Sequence, residues 1–248
     1  MSLRIDILTL FPSMFEGPFS ASIPARAIER GLVEIAISDL RVHGLGRHRT
    51  VDDTPYGGGA GMVLRPEPVV AAVDAVRRPG SLVILVDPAG ERFSQARART
   101  LAAAEHLVIV CPRYEGVDER IRRYVDLELS IGDYVVSGGE LPAMVVIDAV
   151  IRLLPGAIDE GSTLEESHAD GLLEYPQYTR PATFRGDAVP DVLVSGNHEL
   201  VRRWRLREAL RRTATRRPDL LSGRPLSVEE RELLHDVIDE TAGPAGGS

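Results

Sequence analysis

SIGDYVVSGGELP, residues Ser130–Pro142, follows a β-like run, Val125–Leu129, and leads into an apolar helical pattern, Leu141–Leu154. Four small residues interrupt it, Gly132, Ser137, Gly138 and Gly139, so the backbone itself can come close to a bound molecule. Its only charges are Asp133 and Glu140, with no lysine or histidine. Such a loop offers amides and carbonyls to a small polar molecule, not a cationic clamp to a phosphate. An ordinary strand–turn–helix connection has the same outline. What sets this one apart is the recurrence of comparable loops twice upstream.

Outward from that stretch, β-like and helical segments alternate. Strands are predicted at Leu3–Leu10, Leu32–Ser38, Ser81–Val86, His106–Cys111 and Val125–Ile131. Helical patterns fill Ser22–Arg30, Glu67–Arg78, Ser94–Ala104, Val117–Tyr124 and Leu141–Leu154. Continuous apolar strands such as Leu82–Val86 and Leu107–Val110 are the kind buried on both faces of a parallel sheet. The fold class is therefore α/β. Ligands in such sheets sit beyond the carboxyl ends of the strands. Three loops occupy that place: Asp87–Gly90, Pro112–Gly116 and the opening stretch.

Composition narrows the chemistry. All 29 basic residues among the 248 are arginine, which excludes a Walker-type phosphate loop, Schiff-base chemistry and a Ser–Lys dyad. The single cysteine, Cys111, excludes a disulfide framework and cysteine-rich zinc sites, and a cytoplasmic setting is expected. No apolar run approaches membrane-spanning length, so no membrane association is expected. The net charge is −8, yet Arg202–Arg217 carries eight arginines against Glu208, and His43–Arg49 (HGLGRHR) is also basic. An acidic chain with two local basic faces is compatible with a polyanion held over a limited footprint. An arginine helix paired with Glu199 and Glu208 is the structural alternative.

Past residue 156 the pattern changes. Residues 157–190 are rich in Gly, Pro, Asp, Glu and Ser with little periodicity and read as a linker. Residues 191–248 read as a small helical domain, with helices near Glu199–Thr213 and Leu226–Glu240. Residues 1–156 form the α/β domain. Several motifs fail. The glycine-rich Tyr56–Met62 lacks the spacing of a dinucleotide fingerprint, there is no G-x-S-x-G elbow, and the six histidines are scattered, so no metal site is expected.

Five longer stretches together resemble one family: RHRTVDDTPYGGGAGM (Arg47–Met62), RYEGVDER (Arg113–Arg120), SIGDYVVSGGELPAM (Ser130–Met144), YTRPATFRG (Tyr178–Gly186) and LVSGNHELVRRWR (Leu193–Arg205). In this order they are similar to the bacterial tRNA (guanine-N1)-methyltransferases of the SPOUT class, which methylate guanine 37, just 3′ of the anticodon. The resemblance implies a trefoil knot in the α/β domain, a homodimer, and S-adenosylmethionine as methyl donor, with magnesium an accompanying ion. Position by position, it implies a donor pocket made of Leu85, Val86, Asp87 and Pro88. Pro112, Tyr114, Glu115 and Gly116 follow. Ser130, Ile131, Gly132, Asp133, Tyr134, Val135, Val136, Gly138, Gly139 and Pro142 complete it. Binding of tRNA would fall to His48 and Arg49 and to Arg202, Arg203 and Arg205.

The implied chemistry needs a carboxylate to remove the N1 proton of guanine and a cation to stabilise charge on O6. The family's arginine matches Arg152. Its linker aspartate does not match cleanly: aligned on Ser167-His168, that position holds Glu166, and Asp170 is the nearest aspartate. Glu166 is the first candidate for the base and Asp170 the second. Two further departures are Pro112 in place of a glycine and Asp87 in place of a serine. A SPOUT methyltransferase acting at another tRNA or rRNA position, and a catalytically silent tRNA-binding homologue, are the alternative functions.

Overall fold

A computed structural model describes residues 2–158, 167–168 and 171–242. The chain divides into two compact units, Met1–Glu160 and Gly161–Ser248. The first is built on a five-stranded sheet of β1 (Leu3–Thr9), β2 (Val33–Asp39), β5 (Ser81–Arg92), β6 (His106–Val110) and β7 (Leu127–Ser130). The strands lie in the order β2-β1-β6-β5-β7 and every pairing is parallel. A two-residue pair, β3 (Asp52–Asp53) and β4 (Val63–Leu64), lies apart from it.

Alternation along the strands feeds two cores, one on each face. Ile5, Ile7, Ile84, Val86, Leu107 and Ile109 point to one side, where α1 (Ser22–Glu29), α3 (Gln95–Ala102) and α4 (Glu140–Ile151) supply Ala27, Leu101, Val146 and Ile147. Leu8, Val83, Leu85, Val108 and Val110 point to the other, against Val69, Ala72 and Val73 of α2 (Pro66–Val76). Both faces are covered, which is why these strands read as unbroken apolar runs. Burying such side chains contributes roughly 1.5–3 kcal/mol each.

Two elements differ from the sequence reading. The helix expected at Val117–Tyr124 is a 3₁₀ helix over Glu119–Tyr124. Val117 is bridged to Leu64 on one side, and on the other the Asp126 amide donates to the Val83 carbonyl. The short span between these anchors suits the longer rise per residue of the 3₁₀ form. Strand β5 also does not end at Val86. It pairs with β7 through Val86–Leu129, bulges out over Asp87–Gly90, and returns to the same neighbour at Glu91–Leu129 and Arg92–Ser130.

The second unit packs α6 (His198–Arg216) and α7 (Val228–Ala242), preceded by a hairpin of β8 (Thr183–Phe184) and β9 (Asp187–Ala188) and a short α5 (Asp191–Val194). Asn197 caps α6, its side chain accepting from the Leu200 amide, and Pro218 stops the helix just past its end. The small core contains Leu172, Tyr175, Ala209, Leu210 and Leu233, so residues from the segment read as linker are buried in this unit.

Candidate active site

At the carboxyl end of the sheet the three loops converge on one cavity of about 410 Å³, within the range of small-molecule sites. Val86, Asp87 and Pro88 line it from the β5 bulge. Pro112, Tyr114, Glu115 and Gly116 line it from the loop after β6. Ser130, Ile131, Gly132, Tyr134, Val135, Val136, Gly138, Gly139 and Pro142 line it from the loop into α4. Two residues carried over by resemblance are not on its wall. Leu85 faces the opposite core, as strand alternation requires for the neighbour of Val86, and Asp133 is not among the lining residues.

Close backbone approach explains the glycines. A Cβ on Gly139 would stand 2.6 Å from Pro112 Cδ, 2.7 Å from Cys111 Cα and 2.8 Å from Val86 Cγ2. The Gly139 amide donates to the Pro112 carbonyl at 2.8 Å, closing the seam between two loops. On Gly138 a Cβ would meet Arg113 Nε at 2.2 Å. The loop after β6 is held from its other side: the Glu115 amide donates to the Met62 carbonyl and the Leu64 amide to the Gly116 carbonyl. The glycine-rich run thus abuts Glu115, whose side chain would lie 2.6 Å from a Cβ on Gly61.

Ala89, Arg113 and Ser137 line the cavity from within the three loops without having been carried over one by one, and Arg122 and Leu129 line it from outside those loops. Arg122 is held by Asp87 at 3.2 Å, Glu119 at 2.9 Å and Glu128. Asp87 also accepts from the Ala89 amide at 2.8 Å, which shapes the bulge. Arg113 lies 2.8 Å from Glu140, which is fully buried. The Asp87 substitution and the charge at Glu140 were visible in the sequence; their arginine partners depend on tertiary contacts. Cys111, beneath the loop, is buried, and its thiol pKa is pushed well up by burial, with Glu140 adding to the effect.

Arg152 caps the carboxyl end of α4, twelve residues from its start. At 1.5 Å per residue that is about 18 Å from the cavity end of the helix, and Arg152 does not line the cavity. Glu166 and Asp170 lie outside the described residues. Between them, Ser167 Oγ accepts from the Glu174 amide and the His168 amide donates to the Leu172 carbonyl. His48 and Arg49 are exposed in a loop closed by the Leu45–Thr50 bridge, with Arg49 at φ +51°. Among the described residues no group of three or more His, Cys, Asp or Glu is placed to hold a metal ion.

On α6 and at its C-cap several arginines are matched by carboxylates. Arg202 pairs with Glu199 and Glu229, Arg207 and Arg211 with Glu208 and Glu240, and Arg217 with Asp219. Arg205 lies over the Tyr175 ring at 4.8 Å. Arg203 is exposed.

Comparison with known proteins gives the chain's family. The family described as tRNA (Guanine-1)-methyltransferase TrmD matches residues 3–223. The chain belongs to this family. A tRNA (guanine-N(1)-)-methyltransferase of Dictyoglomus turgidum is 54% identical over 239 residues, covering 96% of this chain and 98% of the relative. Those of Desulforudis audaxviator and Geobacillus kaustophilus are 58% and 55% identical, covering 93% and 94% of this chain and 94% and 98% of the relatives. No helix among the described residues is long and apolar enough to cross a membrane.

Proposed function

We propose that the protein transfers the methyl group of S-adenosylmethionine to N1 of guanine 37 in tRNA. The observation that carries this reading is the cavity at the carboxyl end of the sheet in a chain of this family. Its fit to the donor rests on the seam of Gly138 and Gly139, where backbone replaces side chain, on backbone groups of three loops, and on the apolar Val86, Leu129, Ile131 and Pro142. When bound there, the sulfonium supplies the transferable methyl. The protein's part is alignment and proton removal. A linker carboxylate, Glu166 first and Asp170 second, takes the N1 proton, and Arg152 stabilises the charge that builds on O6.

The reading includes a trefoil knot around the cavity, supported by the close passage of Gly139 between Val86 and Cys111–Pro112 with no room for a Cβ. It includes a homodimer in the cytoplasm. Two features support the dimer: α4 leaves Leu141 and Val145 half exposed beside Tyr134 and Val135, and Arg152 is a helix length from its own cavity. A two-fold partner would cover the apolar face and bring a second Arg152 toward the site. Arg203, with Arg202 and Arg205 beside it and His48 and Arg49 on the first unit, would hold the tRNA backbone.

Incubation with labelled methyl donor and unmodified tRNA, followed by mass spectrometric mapping, tests the reading. Methylation at N1 of the guanine 3′ of the anticodon is expected. A methyl group on another base or position would refute it.

A further inference from the structure

We infer that Glu140, a carboxylate with no solvent access and no place on the cavity wall, is a positioning residue for methyl-donor binding, acting through Arg113 and fixed by Thr9. The inference rests on the methyl-donor reading of the cavity and goes beyond it.

A carboxylate taken wholly out of water is tolerated only with compensating partners. Glu140 has two, both remote in sequence. Its Oε1 accepts from Thr9 Oγ1 at 2.7 Å, and its Oε2 lies 2.8 Å from Arg113 Nε. The Phe11 amide donates to the same Thr9 oxygen at 2.9 Å, which leaves the hydroxyl proton for the carboxylate. The Arg113 N–H is poorly aligned with Oε2, so that contact is an ion pair and not a hydrogen bond. Placement in the first turn of α4 adds favourable interaction with the helix dipole.

Arg113 passes this anchoring to the cavity. Its Nη1 donates to the Ser137 carbonyl at 3.0 Å, its Nη2 lies 3.1 Å from Met14 Sδ, and its guanidinium stacks on the Phe11 ring at 4.4 Å. Its stem crosses Gly138 so closely that no side chain fits there. Arg113, Ser137, Gly138 and Gly139 all line the cavity, whereas Thr9 and Glu140 do not. Three distant parts of the chain, the end of β1, the loop after β6 and the loop into α4, are therefore locked by one buried charge. A buried ion pair adds little over an apolar replacement, but loss of one partner leaves the other charge uncompensated, and here that other charge is Arg113, which lines the donor wall.

The test is calorimetric binding of S-adenosylhomocysteine, the demethylated product, to the full-length protein, with thermal melts in parallel. Glu140→Gln keeps the volume and removes the charge; Thr9→Val removes the hydroxyl at constant shape, and Thr9→Ser restores it. Losing a hydrogen bond or pairing to a charged group corresponds to about tenfold in affinity or more. Glu140→Gln and Thr9→Val should each raise the product Kd by about that factor, with Thr9→Ser staying near wild type. In turnover, the donor KM should rise while the tRNA KM holds. Should Glu140→Gln fail to fold, the Thr9 pair decides alone. Lowered melting temperatures with wild-type product affinity below the melt would overturn the inference and leave a purely structural pair. Wild-type protein that binds no product would instead overturn the donor reading of the cavity, and this inference with it.

Discussion

Replacing Gly139 by alanine adds one methyl group, and the structure gives it nowhere to go. The new Cβ would stand within 2.8 Å of three atoms, two of them, Cys111 Cα and Pro112 Cδ, belonging to backbone or a rigid ring. Gly139 sits at φ −75°, which any residue adopts, so the whole effect is steric. Overpacking of this kind costs about 1–3 kcal/mol. In a chain of this size 1 kcal/mol shifts the melting temperature by about 2–4 °C, so Gly139→Ala should lower it by roughly 2–12 °C. Relief comes most easily by parting the seam between the loops, which opens the Gly139–Pro112 hydrogen bond and should weaken donor-product binding about tenfold. Gly17, with nothing within 4 Å of its Cβ position, is the control, and alanine there should leave both quantities unchanged or slightly raise stability. Differential scanning calorimetry and titration calorimetry on both variants make the comparison. A Gly139→Ala protein that melts and binds like wild type would refute the account of the seam.

On α6, Arg203→Ala should reduce the salt dependence of tRNA binding by about one unit of slope, measured by filter binding across salt concentrations, and more than Arg202→Ala, because Arg202 is already held by two carboxylates. Cys111 should resist thiol reagents in the native protein and react only on unfolding, since burial keeps the thiol protonated; rapid native labelling would contradict its placement. Burial raises the Asp6 pKa, but hydrogen bonds from Arg4 and His106 outweigh it and hold the carboxyl below its ordinary value. Its contribution is thus complete above about pH 4 and lost as pH falls through the folded value, so Asp6→Asn should flatten the acid limb of stability measured by denaturant melts. In single-turnover assays Glu166→Ala should slow methyl transfer by ~10²–10⁴-fold while Asp170→Ala stays mild; the reverse would move the base to Asp170.

The α/β frame was legible because both faces of the sheet are covered, and that coverage writes unbroken apolar runs such as Leu107–Val110 into the sequence. The cavity loops were legible because glycines mark where backbone must approach backbone. What sequence could not show was pairing across distance. Glu140 read as one of two charges in a flexible stretch, and nothing local links it to Thr9, 131 residues earlier. For the arginines of α6 the sequence offered Glu199 and Glu208 as partners, and both pair, but Glu229 and Glu240, which come from a different helix, were not legible. The acidic character of α7 was the available signal. The β5 bulge was read as the end of a strand because Pro88 and Gly90 break the pattern, although Glu91 and Arg92 resume pairing.

That bulge has a bearing on how the rim of the cavity is built onto the sheet. Leu129 pairs with Val86 before the excursion and with Glu91 after it, so one residue of β7 fixes both feet of the loop. Gly90 marks the return, where a Cβ would stand 2.5 Å from the backbone of Glu128. A loop footed in this way is modular: residues can be added to or removed from Asp87–Ala89 without slipping the register of the sheet on either side. The rim above the cavity can therefore be re-cut by insertion or substitution while the scaffold beneath keeps its pairing.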